Sequence, residues 1–186
     1  MKKQNIIILS SLLAATLLAF LFDKTLLNLA NYLNLIKFEN IIEPFFDYPV
    51  ILLFIIILSA YFIKHLKSKK LVLAVWLSPI ITFGSNVFIK LIFRRPRPDL
   101  LEKFYPLNIP NYSFPSSHAA VFFSLLPLLI ARTKKLRYVW LVYIILVALS
   151  RILLKQHYLS DTIAGALLGY GVGILVLYLL DKTNHK

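Results

Sequence analysis

The strongest chemical signal in this chain is a histidine followed, one helical turn later, by an aspartate. His157 and Asp161 are four residues apart, so on a helix the carboxylate can hold one ring nitrogen of the imidazole. That contact fixes the tautomer and leaves the other nitrogen to act as a base or a nucleophile. Ser150 and Arg151 precede the pair, and the arginine is a planar, permanently charged donor suited to phosphate. A purely structural role is the alternative interpretation.

A second cluster combines a lysine inside an apolar stretch with an arginine in a proline-rich tail. Lys90 lies seven residues before Arg97, about two helical turns, so the two cations share a face if the helix continues. Pro96 and Pro98 predict that the helix ends nearby, which lets Arg97 curl back. The alternative is a basic anchor at the membrane edge.

A third cluster, Pro115-Ser116-Ser117-His118, opens another apolar stretch. Hydroxyls ahead of a helix offer N-caps, and free amides at a helix start favour an anion. His118 alone is more simply a structural histidine. Taken together, the three clusters supply fixed cations, two histidines and an orienting carboxylate. Phosphoryl transfer needs this set: charge around the phosphoryl oxygens, a nucleophile, and an acid for the leaving group.

The order and spacing of the clusters resemble the three-part signature of the type 2 phosphatidic acid phosphatase superfamily. The family's middle motif usually has a glycine where this chain has Ser117. A serine keeps the backbone amide that a glycine would bring close to phosphate, so we expect function to survive the change. The matching segments are Lys90-x6-Arg97-Pro98, Pro115-Ser116-Ser117-His118 and Ser150-Arg151-x5-His157-x3-Asp161.

This resemblance implies a role for each matching residue. It implies that His157 attacks phosphorus to form a phosphohistidine and that Asp161 orients His157. It also implies that His118 protonates the leaving lipid oxygen and then activates water. The residues by themselves leave open which histidine attacks, although the Asp161 spacing favours His157. The implied phosphate-binding residues are Lys90, Arg97, Arg151, Ser116, Ser117 and Ser150.

The resemblance implies no metal and no other cofactor. The motifs contain one carboxylate, Asp161, where a two-metal site uses several. Asp99 and Glu102 lie nearby in the sequence but make a poor metal site by themselves. Arg94 and Arg95 fall outside the signature, and we interpret them as membrane-edge anchors rather than as ligands of a second phosphate.

The elements that must position these residues are membrane helices. Hydrophobic residues make up 59% of the 186-residue chain, whereas a soluble domain has roughly 45–50%. Lipid requires every backbone polar group to be satisfied internally, so the apolar stretches are predicted to be helices. The prediction is an all-α bundle of six transmembrane helices that forms a single transmembrane phosphatase domain over residues 1–186. The expected spans are Asn5–Phe22, Phe45–Ile63, Leu71–Phe93, Phe114–Ala131, Tyr138–Leu154 and Tyr158–Leu180.

Two features of the N-terminal region allow more than one interpretation. No small-residue cleavage site follows the first apolar stretch, so we expect a retained helix rather than a signal peptide. Residues Lys24 to Pro44 mix leucines with Asn, Lys and Glu. This pattern fits a helix in the interface plane and fits equally an apolar loop packed on the bundle.

The net charge of +13 predicts how the chain lies in the membrane. With six spans, the side that holds both termini has 12 of the 21 lysines and arginines but one of the eight acidic residues. Both termini are therefore predicted to be cytoplasmic, and the three motifs face the periplasmic or extracellular side of the cell (inner) membrane. A nucleic-acid partner is disfavoured because no basic, aromatic-interleaved soluble surface remains. Cysteine is absent from the sequence, which excludes disulfides and thiolate chemistry.

The predicted function is that of a membrane phosphatase whose partner is a lipid phosphate or pyrophosphate. A non-catalytic phospholipid-binding or transport protein is the alternative, disfavoured because binding alone needs neither histidine nor Asp161. A vanadate-dependent peroxidase shares the signature, but no soluble domain is left for it. The oligomeric state does not follow from these patterns. The family implies undecaprenyl pyrophosphate, phosphatidylglycerol phosphate, phosphatidic acid and lipid A 1-phosphate as candidate substrates.

Overall fold

The computed structural model describes residues 3–98 and 112–182, and over these ranges the chain is a helical bundle. Helices make up 86% of the described residues, and no strand occurs among them. One isolated antiparallel bridge joins Pro96 to Tyr112. Short 3-10 turns at Leu35–Phe38 and Glu43–Phe45 flank the second helix. The helices are α1 (Lys3–Leu33), α2 (Glu39–Ile42), α3 (Tyr48–Leu66), α4 (Lys69–Phe93), α5 (Ser117–Phe123), α6 (Leu126–Arg132), α7 (Leu136–Leu153) and α8 (Leu159–Lys182).

Five helical segments are long and apolar enough to cross a membrane, which confirms five of the six expected spans. The remaining stretch, Ser117–Arg132, is shorter and divides into α5 and α6. Pro127 explains the division, because it has no N–H to continue the hydrogen-bond ladder and stands in the first turn of α6. The five long segments are Lys3–Leu33, Glu39–Leu66, Lys69–Phe93, Leu136–Leu153 and Leu159–Lys182.

The first helix is longer than the sequence pattern suggests. We expected a span that ends at Phe22, but α1 runs unbroken for 31 residues. It contains neither glycine nor proline, and it ends at Asn34, which has a left-handed φ of 47°. At 1.5 Å per residue α1 is about 46 Å long, against a hydrocarbon core of about 30 Å. Its last turns therefore extend beyond the width of one span, and residues 24–33 continue α1 instead of starting a separate interfacial helix.

The last helix, α8, is central to the bundle and packs on α1, α4 and α5. Three of its glycines, at positions 165, 169 and 173, approach backbone carbonyls in α5 and at its two ends. A Cβ built on Gly169 would lie 2.0 Å from the carbonyl oxygen of Ala120, so this approach requires glycine. The close packing brings the start of α5 against the start of α8. There the backbone N–H of Ser116 donates to the carbonyl of Asp161 at 2.9 Å.

Helix directions gather the three sequence motifs at one end of the bundle. This end contains the beginnings of α3, α5 and α8 and the ends of α4 and α7. An apolar core that includes Phe62, Phe122 and Ile144 fills the interior. Trp140 stacks on Phe54 with ring centroids 3.8 Å apart. The core gives the motif-bearing helix ends a rigid support.

Candidate active site

His157 lies between α7 and α8, with its side chain almost completely buried. Its backbone N–H donates to the carbonyl of Arg151 at 3.1 Å. Nδ1 of His157 is 3.6 Å from Oδ2 of Asp161, so the structure brings the predicted pair together, just beyond hydrogen-bond length. Within the described ranges Nδ1 has no hydrogen-bond partner. Because Nδ1 faces the carboxylate, Nε2 is the nitrogen left for chemistry.

The electrostatic surroundings of His157 show that the predicted cations converge on it. Burial is the main cause that holds the pKa of His157 well below its usual value of 6.5. The positive charges of Arg97 and Lys90 act in the same direction, followed by those of His118 and Arg151. Four basic residues from three separate motifs thus exert their charge on one imidazole.

The lysine of the first motif is buried in the last turn of α4. Its Nζ donates to the carbonyl of Tyr112 and, at 3.4 Å, to that of Ser113. The helix ends at Phe93, before Pro96, as the prolines predict. The chain turns at Arg94, which has φ 47°, and half-buried Arg97 follows. Lys90 and Arg97 therefore reach the same site from a helix and from the segment after it.

Arg151 is fully buried at the end of α7. Its Nε donates to Ser150 Oγ at 3.2 Å, so Ser150 supports the guanidinium. Nη1 donates to Gln156 Oε1 at 2.9 Å and to Glu43 Oε1 at 3.3 Å. Nη2 makes no hydrogen bond to any described residue. A buried guanidinium nitrogen without a partner is a suitable donor for an anion, because leaving it unsatisfied is costly.

The segment between α1 and α3 lies against this part of the site. Gln156 Nε2 donates to Glu39 Oε1 at 2.8 Å and to Glu43 Oε1 at 3.0 Å. The second half of the segment from Lys24 to Pro44 is therefore packed on the bundle, as the second of its two interpretations expects. The two glutamates were not anticipated from the sequence.

The middle motif is tied to α4 through an asparagine that sequence reasoning missed. Ser116 is the N-cap of α5, and its Oγ accepts from Ala119 N at 3.4 Å. Ser117 Oγ donates to Asn86 Oδ1 at 2.6 Å, and Asn86 Nδ2 donates to Pro115 O at 3.1 Å. The Ser117 hydroxyl is thus engaged with protein. The available signal was that Asn86 lies one turn before Lys90, on the same face of an apolar helix.

His118, the other histidine of the site, has an unforeseen carboxylate partner. Its Nε2 is 3.0 Å from Oδ1 of Asp47, the N-cap of α3. The ring of Tyr48 stacks on the imidazole, with centroids 4.3 Å apart. A sequence signal was present, because Asp47 and Pro49 at the start of an apolar stretch are typical of a helix N-terminus.

Arg95 belongs to the site, so its interpretation as a membrane-edge anchor is wrong. Its Nη1 donates to Asp161 Oδ1 at 2.8 Å and to Ser160 Oγ at 2.7 Å. Its Nη2 donates to Asp23 Oδ2 at 2.8 Å. The left-handed turn at Arg94 ends α4 and directs the next residue into the bundle. Arg94 itself is exposed, as an anchor would be, and donates to Leu91 O at 2.9 Å.

Asp23 was likewise missed, since it directly follows the first apolar stretch with no motif around it. Its Oδ1 accepts from Ser160 N at 2.9 Å, and its Oδ2 accepts from Ser160 Oγ at 2.6 Å. Asp99 and Glu102 lie outside the described residues. Over residues 3–98 and 112–182, no three His, Cys, Asp or Glu side chains cluster in a way that would hold a metal ion.

Comparison of this chain with known protein families assigns it to one of them. Residues 48–185 match the PAP2 superfamily, and this chain therefore belongs to it. The resemblance drawn from the three motifs is confirmed. The undecaprenyl-diphosphatase BcrC of Bacillus subtilis is 23% identical over 137 residues, which cover 73% of this chain and 71% of that protein. Two shorter matches, at 41% and 34% identity, span about a third of the relatives' own lengths, 36% and 32%.

Two solved structures share the fold. One is a transmembrane PAP2-type phosphatidylglycerolphosphate phosphatase from Bacillus subtilis, with TM-score 0.64 and 24% identity over 94% of this chain and 96% of that one. The other is LpxE of Aquifex aeolicus, with TM-score 0.61 and 26% identity over 84% of this chain and 95% of that one. With its apolar helices, this chain is a multi-pass membrane protein of a family of membrane phosphatases that act on lipid phosphates.

Proposed function

We propose that this protein hydrolyses a lipid phosphate or pyrophosphate monoester, with His157 as the nucleophile and no metal. The position of His157 carries the proposal. It is buried, its Nδ1 lies 3.6 Å from the Asp161 carboxylate, and the positive charges of four basic side chains act on it. A neutral, oriented imidazole inside a cationic shell matches what attack on a phosphoryl group requires. The four side chains are Lys90, Arg97, His118 and Arg151.

In the first half of the proposed reaction, Nε2 of His157 attacks phosphorus. The P–N bond forms as the P–O bond to the leaving group breaks, and His118 gives a proton to the leaving oxygen. The leaving group is the lipid alcohol of a monoester or the lipid monophosphate of a pyrophosphate. The imidazole that carries phosphate becomes positively charged, and Asp161 stabilises that charge. In the second half, water attacks phosphorus and His118 takes its proton. The P–N bond then breaks, which releases inorganic phosphate and restores both histidines.

The remaining motif residues are proposed to bind the phosphoryl oxygens. Lys90, Arg97 and Arg151 supply the positive charge, and Nη2 of Arg151 is the clearest donor because it is buried without a described partner. The Ser116 and Ser117 amides are proposed to assist. Ser150 acts through Arg151, since its hydroxyl accepts from Nε at 3.2 Å. The Ser117 hydroxyl is assigned a structural role on Asn86.

We propose six crossings, with both termini cytoplasmic and the site facing the periplasmic or extracellular side. The pair α5–α6 supplies the sixth crossing, because its His118 end meets the site and Arg132 lies 14 residues further on. The basic turns 64–70 and 132–137 join helices at the end away from His157, as expected for the cytoplasmic side. A reporter fused at the C-terminus tests this orientation. Reporter activity outside the cytoplasm would overturn it.

For the substrate we propose a phosphate group on a long lipid chain, with undecaprenyl pyrophosphate as the first candidate. The relative that supports this choice is the undecaprenyl-diphosphatase, matched over most of both chains. Phosphatidylglycerol phosphate, phosphatidic acid and lipid A 1-phosphate complete the set to be compared.

The deciding experiment is phosphate release by purified protein in detergent with excess EDTA, on all four lipids. His157→Ala is expected to abolish release. His65→Ala is the matched control, because His65 is an exposed histidine near the far end of α3. EDTA-resistant release that survives in His65→Ala and disappears in His157→Ala supports the proposal. Turnover by His157→Ala at the wild-type rate would remove the mechanism. Absence of release from every lipid by the wild type would favour a phospholipid-binding or transport function.

A further inference from the structure

The site contains a second carboxylate–imidazole pair, formed by Asp47 and His118. We infer that Asp47 is the positioning residue of His118, holding its tautomer and balancing its charge during acid–base catalysis. This inference rests on the proposed function, because it assumes that His118 moves the protons. It assigns a role to a residue from the start of α3, a part of the chain that contributes none of the three sequence motifs.

Two contacts from adjacent residues fix the imidazole of His118. Asp47 Oδ1 lies 3.0 Å from Nε2, in hydrogen-bond range. The Tyr48 ring stacks on it at 4.3 Å with an interplanar angle of 25°. The first contact sets the direction of the ring within its plane, and the second sets the plane itself. The His118 side chain is 12% exposed while that of Asp47 is 39% exposed. The carboxylate therefore keeps contact with solvent at the rim of the site.

Asp47 is itself held by a regular helix terminus. It is the N-cap of α3, where the same Oδ1 accepts from Tyr48 N at 2.7 Å. Pro49 stands in the first turn, where its missing N–H costs nothing. The carboxylate that contacts His118 is therefore placed by a 19-residue helix packed in the apolar core, and not by a flexible loop.

This geometry determines which nitrogen exchanges protons. When Nε2–H donates to Asp47, Nδ1 is the nitrogen that carries or accepts the mobile proton. Nδ1–H goes to the leaving oxygen as the P–O bond breaks, and Nδ1 later takes a proton from the attacking water. Throughout the cycle the other proton stays bonded to Nε2 and donates its hydrogen bond to Asp47. Arg151 and Arg97 also act on His118, and their positive charges oppose an imidazolium. Asp47, the N-cap of α3, offsets them. The phenol of Tyr48 and the imidazole of His157 also lie close to His118.

The kinetic test compares Asp47→Asn with wild type on the lipid that the wild type hydrolyses. Asparagine keeps an acceptor and the helix cap but removes the charge. We expect kcat to fall by about 10–100-fold, part of the roughly 10²–10⁴-fold that general acid–base catalysis supplies. KM should stay within about threefold, since Asp47 does not bind the phosphate. The alkaline limb of the kcat profile should move to lower pH, because the imidazolium has lost its counter-charge.

Ser68→Ala is the matched control. Ser68 caps α4 at the other end of the bundle, where its Oγ accepts from Leu71 N at 3.4 Å. This variant loses a helix cap without touching His118, so its kcat and pH profile should remain those of the wild type. Asp47→Asn with wild-type kcat and an unmoved alkaline limb, beside an active wild type, would overturn the inference. If the wild type itself releases no phosphate, the proposed function fails. The tautomer measurement described next then tests the Asp47–His118 pair by itself.

The tautomer of His118 can be observed without turnover. The chain has four histidines, so the ring nitrogens of His118 can be assigned in 15N-labelled protein by comparison with His118→Gln. Near pH 8 the wild type should show the Nε2–H tautomer of His118, and Asp47→Ala should show a mixture. A wild-type His118 protonated on Nδ1, or a tautomer unchanged by Asp47→Ala, would overturn the assignment.

Discussion

Asp161 Oδ1 accepts a hydrogen bond at 2.8 Å from Nη1 of Arg95, a residue 66 positions earlier in the chain. The other oxygen of the same carboxylate accepts from Tyr158 N at 2.9 Å. The group predicted to orient His157 is therefore fixed from two directions. The second terminal nitrogen of Arg95, Nη2, donates to Asp23 Oδ2 at 2.8 Å. One guanidinium therefore joins α1 and α8 to the segment after α4.

Replacing Arg95 should therefore impair activity even though Arg95 lies outside the family signature. Arg95→Gln cannot bridge two carboxylates, and Asp161 would lose a charged hydrogen bond worth about 1.5–3 kcal/mol. We expect kcat/KM to fall by about 10–100-fold. The measurement is phosphate release with Arg94→Gln as control, because the exposed side chain of Arg94 donates to the carbonyl of Leu91 and not to a carboxylate. Equal rates for the two variants would show that the bridge is unimportant for chemistry.

The Asp161 carboxylate should matter more than any other in the site. Asp161→Asn keeps the shape but removes the charge that would stabilise a phosphorylated His157. By analogy with orienting aspartates in catalytic triads, kcat should fall by about 10⁴-fold. Asp181→Asn is a suitable control, since this exposed aspartate lies on the same helix and pairs with Arg132 at 3.3 Å. A near-normal rate for Asp161→Asn would mean that the residue is only structural.

The burial of His157 predicts how stability depends on pH. Its folded pKa lies well below the usual 6.5, mainly because burial penalises the charged form. Below pH about 6.5 the unfolded chain binds a proton that the folded chain does not, so falling pH favours unfolding. Thermal unfolding in detergent between pH 8 and pH 5 should show a larger loss of Tm for wild type than for His157→Gln. Parallel curves would contradict a buried neutral imidazole.

The contact of α8 with α5 should tolerate no side chain at position 169. The Cβ of Gly169→Ala would meet the Ala120 carbonyl oxygen at 2.0 Å, so the helices must separate. Overpacking of this kind costs about 1–3 kcal/mol, and we expect a lower Tm together with reduced activity. Gly171→Ala is the matched control, because its Cβ would meet Leu9 at an ordinary 3.8 Å. If both variants melt with the wild type, the close approach is not a constraint.

The sequence by itself predicted the family, five helices long enough to span a membrane, and the approach of Asp161 to His157. These predictions succeeded because they depend on local physics. Apolar length predicts a span, proline predicts the end of α4, and a four-residue spacing places Asp161 beside His157. Pro127 could have predicted the break between α5 and α6 in the same way.

The tertiary structure alone decided which residues hold the side chains of the motifs. Arg95 on Asp161, Asn86 on Ser117 and Asp47 on His118 join residues 66, 31 and 71 positions apart. No periodicity or spacing predicts such pairs, because they depend on how closely two helices approach and in which register. Here Gly169 sets part of that approach by allowing α8 to touch the backbone of α5. The motifs identify which chemical groups are present, and the packing of the helices decides which side chains form hydrogen bonds with them.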